Sequence, residues 1–160
     1  MRPLFYPDDP NNDQTMNPDI SSDPGRLRMD DIHAMLKQTY WSTGITKEEI
    51  ASGIKNSALV VGAYADDGRQ VGFCRVISDK TRFAYLLDVI VAEDCRRRGI
   101  GQAMVRYAIS HPDLRHVYQW LLKTSDAHGV YAKCGFLPSD EPELWMGRML
   151  GRPDRTVFEE

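Results

Sequence analysis

The sequence predicts an α/β fold of the α+β type: a mixed, mostly antiparallel central sheet flanked by helices. Three observations predict it. Apolar residues recur at helical spacing up to about residue 57 and at strand spacing after it. An Asp-Gly turn joins two apolar runs in the manner of a hairpin. A nearly continuous apolar stretch, Phe83 to Ala92, then leads into a glycine-bearing loop and an amphipathic helix. The order ααβββαβαβ suits one sheet covered by helices, and 160 residues with 42% apolar content suffice for a single core.

Residues 1–25 carry Pro3, Pro7, Pro10, Pro18 and Pro24 among Asp and Asn, and read as a polar extension with too few apolar groups to offset chain ordering. The domain proper is expected over 26–150, with 151–160 as a tail. A first helix is predicted from Asp30 to Tyr40, with Ile32, Met35, Leu36 and Tyr40 on one stripe. Thr46 with Glu49 forms a capping-box pattern and starts a second helix ending near Ile54. Ala58–Ala65 and Gln70–Ser78 are predicted strands joined by Asp66-Asp67-Gly68-Arg69, and Phe83–Ala92 is a third, expected to be buried on both faces. Gly99–Ser110 places Ile100, Ala103, Met104, Tyr107 and Ala108 on one helical stripe before His111-Pro112 ends it. Val117–Lys123 is a further strand, residues 127–134 a short helix closed by Gly135, and Glu143–Leu150 a last strand.

Composition excludes several functional classes. A net charge of −3 argues against bulk electrostatic binding of nucleic acid, so an anionic ligand must be held by a local site. No apolar run reaches the roughly 18 residues of a membrane span, and the N-terminus has no apolar signal core, so a cytoplasmic protein that does not engage membranes is expected. Cys74, Cys95 and Cys134 are too widely spaced for a disulfide framework or a C-x-x-C motif. The histidines lack ligand spacing, and no metal site is predicted. Cys95 beside three arginines is read either as a reactive thiol or as an ordinary loop cysteine.

Asp88 to Gln102 is the most informative segment. A strand runs into Glu93-Asp94-Cys95-Arg96-Arg97-Arg98-Gly99-Ile100-Gly101 and directly on into a helix. Glycines permit a tight turn that exposes successive N–H groups, the helix start adds unpaired donors and a positive dipole end, and three arginines add charge. The combination suits a pyrophosphate at a place where neighbouring strands separate. A P-loop would need G-x-x-x-x-G-K-[ST], which is absent, and a dinucleotide fingerprint would need a third glycine where Met104 stands.

Arg96-Arg97-Arg98-Gly99-Ile100-Gly101 fits [QR]-x-x-G-x-[GA], and Tyr131-Ala132-Lys133-Cys134-Gly135-Phe136 fits Y-x-x-x-G-F. In these motifs and their order the chain resembles the Gcn5-related N-acetyltransferase (GNAT) superfamily over roughly residues 26–150. The resemblance implies a sheet splayed near its central strands and acetyl-CoA as cosubstrate, bound by the main chain of Arg96 to Gln102 and by the strand at Val89, Ile90 and Val91. It implies transfer of an acetyl group to a primary amine on a small molecule or peptide, with the alternative of a non-catalytic acetyl-CoA-binding module. The Val91 amide would polarise the thioester carbonyl, where negative charge develops. Thr124 replaces a common asparagine at a cofactor contact, Glu93 a frequent proline and Arg97 a frequent glycine. Tyr131 is the implied proton donor to the departing thiolate, since a phenol with a reference pKa of about 10 is protonated at neutral pH; a core aromatic with a satisfied hydroxyl is the other reading. Asp88 is the candidate base, because a carboxylate in an apolar strand is costly unless it has a partner or a function; a structural aspartate is equally consistent, and Glu93 is the reserve. Tyr40, Trp41 and Tyr85 are expected to line the acceptor pocket or to pack in the core. A homodimer is the superfamily's implication for assembly.

Overall fold

The structure, a computed structural model, describes residues 17–151. Residues 1–16 of the polar extension and 152–160 of the tail lie outside the described residues. Five strands form one sheet in sequence order: β1 (Asp19–Ser21), β2 (Leu59–Tyr64), β3 (Gln70–Ser78), β4 (Phe83–Val91) and β5 (Gln119–Leu121). The first three junctions are antiparallel and the β4–β5 junction is parallel. Helices α1 (Met29–Leu36) and α2 (Lys47–Lys55) cover one face, and α3 (Ile100–Ile109) and α4 (His128–Ala132) the other. The predicted α/β class is therefore observed, with a sheet that already begins inside the stretch read as a polar extension.

The helices stop where side chains offer the backbone another partner. The α1 helix buries Ile32 and Leu36 but ends well before Tyr40, because the backbone and hydroxyl of Thr39 both donate to the Leu36 carbonyl, at 3.0 and 2.8 Å. Tyr40 instead lies in a short 3₁₀ turn and is 67% exposed, which corrects the single long helix expected there. Thr46 caps α2 as predicted, its side chain accepting from the Glu49 amide at 3.1 Å.

The hairpin between β2 and β3 turns at Gly68, with Ala65 N donating to Arg69 O at 3.0 Å. Burial on both faces belongs to β2, all six of whose residues are buried, and not to β4, whose residues are mostly half-buried. The reason lies in pairing. The β4 strand is covered along its length by β3, whereas β5 meets it only at Phe83, Ala84 and Tyr85. Two further strand expectations shorten: 117–123 forms a ladder only over Gln119–Leu121, and Glu143–Leu150 contains a 3₁₀ turn at Pro142–Leu144 and no strand.

The two core layers are distinct. Val61, Val76, Leu86, Met104 and Val105 belong to the layer under α3, and Ile32, Leu36, Ile50, Phe73 and Ile90 to the layer under α1 and α2. Gly72 has no side chain because a Cβ there would approach Met104 Sδ to 2.9 Å. The buried Gln70 is satisfied: its Oε1 accepts from Arg28 N at 2.8 Å and its Nε2 donates to Gly72 O at 3.0 Å.

Candidate active site

The central irregularity of the sheet is a bulge in β4. Phe73 pairs with Ile90 and Arg75 with Leu87, so Cys74 alone faces both Asp88 and Val89. Asp88 takes φ +55°, a left-handed conformation that a non-glycine residue rarely adopts. The extra residue keeps Ala84, Leu86, Val89 and Val91 in the α3 layer despite their spacing of two, three and two. It also turns Asp88 toward Arg75, whose Nε donates to Asp88 Oδ2 at 2.6 Å with both side chains largely buried. Arg75 is held in turn by Gly53 O and Ser57 Oγ near the end of α2, each at 3.4 Å. The aspartate thus has the partner that its strand position required, and the arginine that supplies it was missed. Its signal was present: a charged residue in an otherwise apolar strand demands an opposite charge nearby.

A small cleft of about 190 Å³ opens on this pair, lined also by Trp41, Ser42, Glu49 and Phe73. Trp41 therefore lines the same cleft as Asp88. Tyr40 instead shares a hydrogen bond with Ser125 beyond β5, and its ring meets that of Trp41 edge-on at 5.1 Å. Tyr85 lies in β4 between Ile77 and Leu121, in the paired part of the sheet, and does not line this cleft.

Beyond Tyr85 the seam between β4 and β5 is open. Ala92 N donates to Val71 O at 2.8 Å. Backbone groups alternate sides along a strand, so the Val91 amide points away from β3, toward the open seam. The Val91 carbonyl on that side accepts from Arg96 Nε at 3.1 Å, which sets the first arginine of the loop against the strand end.

A 3₁₀ turn, Glu93–Cys95, then leads to Arg97 and Gly99, with φ +62° and +78°. The first bond of α3 runs from Ala103 N to Gly99 O at 3.0 Å, leaving the amides of Ile100, Gly101 and Gln102 ahead of the helical ladder. Among the described residues, the amides of Arg97 and Gly99 make no bond to another backbone group. Beside this loop lies a cleft of about 420 Å³ reaching Met35, Val91, Glu93 and Arg96. The loop thus presents main-chain N–H groups, set by two left-handed residues, at the start of α3. Cys95 is buried in the core beneath the loop, which favours its reading as an ordinary cysteine.

Tyr131 stands in α4, packed against the same core layer as Val89 and Val91 and edge-on to Phe136 at 6.2 Å. It lines a cleft of about 760 Å³ with Leu121 to Thr124 and His128. Among the described residues its hydroxyl has no protein hydrogen-bond partner, and the residue lines that cleft. Burial pushes the phenol up to about 12, with Cys74, Cys134 and Asp126 adding to the shift. Thr124 Oγ1 accepts from Ala127 N at 3.0 Å and so organises the start of α4. Among the described residues no cluster of three or more His, Cys, Asp or Glu could hold a metal ion, and no helix is long and apolar enough to cross a membrane.

Comparison with known proteins agrees with this geometry. A GNAT-family protein of Xanthomonas campestris pv. campestris is 40% identical, with a TM-score of 0.78 over 85% of this chain and 95% of that one. Glucosamine 6-phosphate N-acetyltransferase 1 of Oryza sativa subsp. japonica is 30% identical over 107 residues, which span 62% of this chain and 63% of the rice protein. The glucosamine-6-phosphate N-acetyltransferase of Arabidopsis thaliana shares the fold, with a TM-score of 0.63 at 17% identity over 84% of this chain and 99% of that one. The acetyltransferase (GNAT) domain family matches residues 56–138, just over half of the chain, which contain the bulged strand, the loop and Tyr131; the chain belongs to the GNAT family of acetyltransferases and is an N-acetyltransferase.

Proposed function

We propose that the chain transfers an acetyl group from acetyl-CoA to a primary amine on a small molecule or peptide by direct attack, without a covalent enzyme intermediate. The observation that carries this reading is the open seam between β4 and β5, which ends at a loop that leaves main-chain donors ahead of the α3 ladder. Acetyl-CoA supplies the acyl group as a thioester. The amides of Arg97 to Gln102 hold its diphosphate at the positive end of α3, with Arg96, Arg97 and Arg98 adding charge. The exposed edge at Val89, Ile90 and Val91 aligns the pantetheine, and the Val91 amide stabilises negative charge on the carbonyl oxygen. Thr124 contributes by fixing the start of α4.

Proton traffic divides between the two faces of the sheet. Asp88 opens on the cleft under α1 and α2, where Trp41 lines the approach of the amine, and Tyr131 stands on the α3 face. A protonated amine cannot attack, so Asp88, directly or through a water, takes its proton, with Arg75 fixing the carboxylate. Tyr131 protonates the departing thiolate, a role suited to a phenol raised to about 12 because it stays protonated at neutral pH. The relatives named for glucosamine 6-phosphate make a small amine the first acceptor class to try. Reaction in the cytoplasm is part of this reading.

The test is release of free CoA over a panel of amino sugars, diamines, amino acids and lysine peptides. Turnover with at least one class is expected. Saturable acetyl-CoA binding with no turnover over the whole panel would favour the non-catalytic module.

A further inference from the structure

Taking the cleft beside Asp88 as the approach of the amine, as proposed above, we infer that the acceptor is a short aliphatic amine carrying a second positive charge. A linear diamine is its plainest form, and phosphorylated amines are excluded. Size and lining both point this way. The cleft has apolar walls: Leu36 from α1, Ile45 just before α2, Ile50 within it and Phe73 from β3. Such walls suit methylene groups and offer sugar hydroxyls few partners. A cavity of about 150 Å³ admits a six-atom ligand such as benzene. The space here, about 190 Å³, therefore suits a four-carbon diamine, whereas a hexosamine phosphate would stand largely outside it.

Charge sets the class within that size. Two carboxylates, Asp88 and Glu49, and one guanidinium, Arg75, line the cleft, which leaves negative charge in excess. Arg75 is already committed: its Nε donates to Asp88 at 2.6 Å, and its Nη1 to Gly53 O and Ser57 Oγ at 3.4 Å each. Gly53 keeps that berth open, since a Cβ there would come within 3.2 Å of Arg75 Cζ. A phosphate would have to draw this guanidinium away from Asp88 and would meet two like charges in a partly desolvated site. An ammonium meets neither cost. Trp41 supplies a second attraction. It is 40% exposed at the cleft, and its ring meets edge-on that of Tyr40, whose hydroxyl is hydrogen-bonded to Ser125 beyond β5. An indole so placed attracts a cation through its π face. One nitrogen of the diamine thus gives its proton to Asp88 and attacks, while the other stays charged beside Glu49 and Trp41. The phosphorylated amino sugar in the names of the rice and Arabidopsis relatives lies outside this class.

Titration calorimetry on the full chain in the presence of CoA measures acceptor affinity without turnover, so its outcome is separate from that of the acetyl-transfer reading. A diamine that binds but is never acetylated would count against acetyl transfer alone. Putrescine, a four-carbon diamine, should bind saturably and about 10-fold more tightly than glucosamine 6-phosphate. Glu49→Gln keeps the shape of the side chain and the Thr46 cap, which is made to the backbone amide, and should weaken putrescine about 10-fold. Trp41→Leu should weaken it about 5-fold. No saturable binding of putrescine, equal or tighter binding of glucosamine 6-phosphate, or a putrescine affinity unchanged by both substitutions would each overturn the proposal.

Discussion

The two halves of the sheet make a contrast. From β2 to β4 the strands pair over nearly their whole length, and the residues between them are among the most buried in the molecule. From β4 to β5 three residue pairs hold before the strands part. The complete ladder carries the stability; the interrupted one leaves an edge, a loop and two clefts, which are what a site needs. Asp88 marks the border between them, since the bulge that seats it beside Arg75 lies just past the last β4–β5 pair.

Substitutions should separate the halves, the largest effect coming from the paired one. Phe73→Ala empties a fully buried position and should cost about 3–5 kcal/mol in urea unfolding; a loss below 1 kcal/mol would mean that this layer does not carry the fold. Tyr131→Phe removes a hydroxyl with no partner among the described residues, so stability should hardly change while kcat falls about 100-fold. Equal losses of stability and activity would return Tyr131 to a packing role.

High pH acts on both halves at once. Burial pushes the Cys74 thiol from 9.0 up to about 12 and the Tyr131 phenol from 10.0 up to about 12. Between about pH 9 and 12 the unfolded chain therefore releases protons that the folded chain keeps, and stability must fall as pH rises. Its full value is present below pH 9, and the loss should be on the order of 1 kcal/mol per pH unit. Cys74→Ala should cost some packing at pH 7 but flatten this alkaline decline; an unchanged slope would show that the thiol does not contribute to it. The smallest effect is expected at Gly99, where a Cβ meets nothing within 4 Å but φ is +78°. Gly99→Ala should destabilise by about 1–2 kcal/mol through backbone strain and raise the KM for acetyl-CoA more than it lowers kcat.

Much of this arrangement was legible in the residues. The Asp-Gly hairpin, the Thr46 cap, the α3 stripe and the loop at Arg96 to Gly101 rest on local chemistry, and each stands where expected. What escaped was decided by contacts distant in sequence. The β1 strand has three residues and depends on β2 for its ladder. The bulge at Asp88 follows from keeping Val89 and Val91 in one layer, and the short β5 from strands that diverge. Residues 143–150 have strand composition, but among the described residues they join no ladder. Tyr40 left its predicted helix because Thr39 captured the Leu36 carbonyl first.

Hydrogen exchange with and without CoA tests the role of the open seam most directly. Addition of CoA should slow the amides of Val91 and Arg97 to Gln102 and leave those of Val60 to Ala63 in β2 unchanged. Saturating CoA that leaves the seam and loop amides as fast as before, or slows amides only elsewhere, would contradict placing the cofactor there.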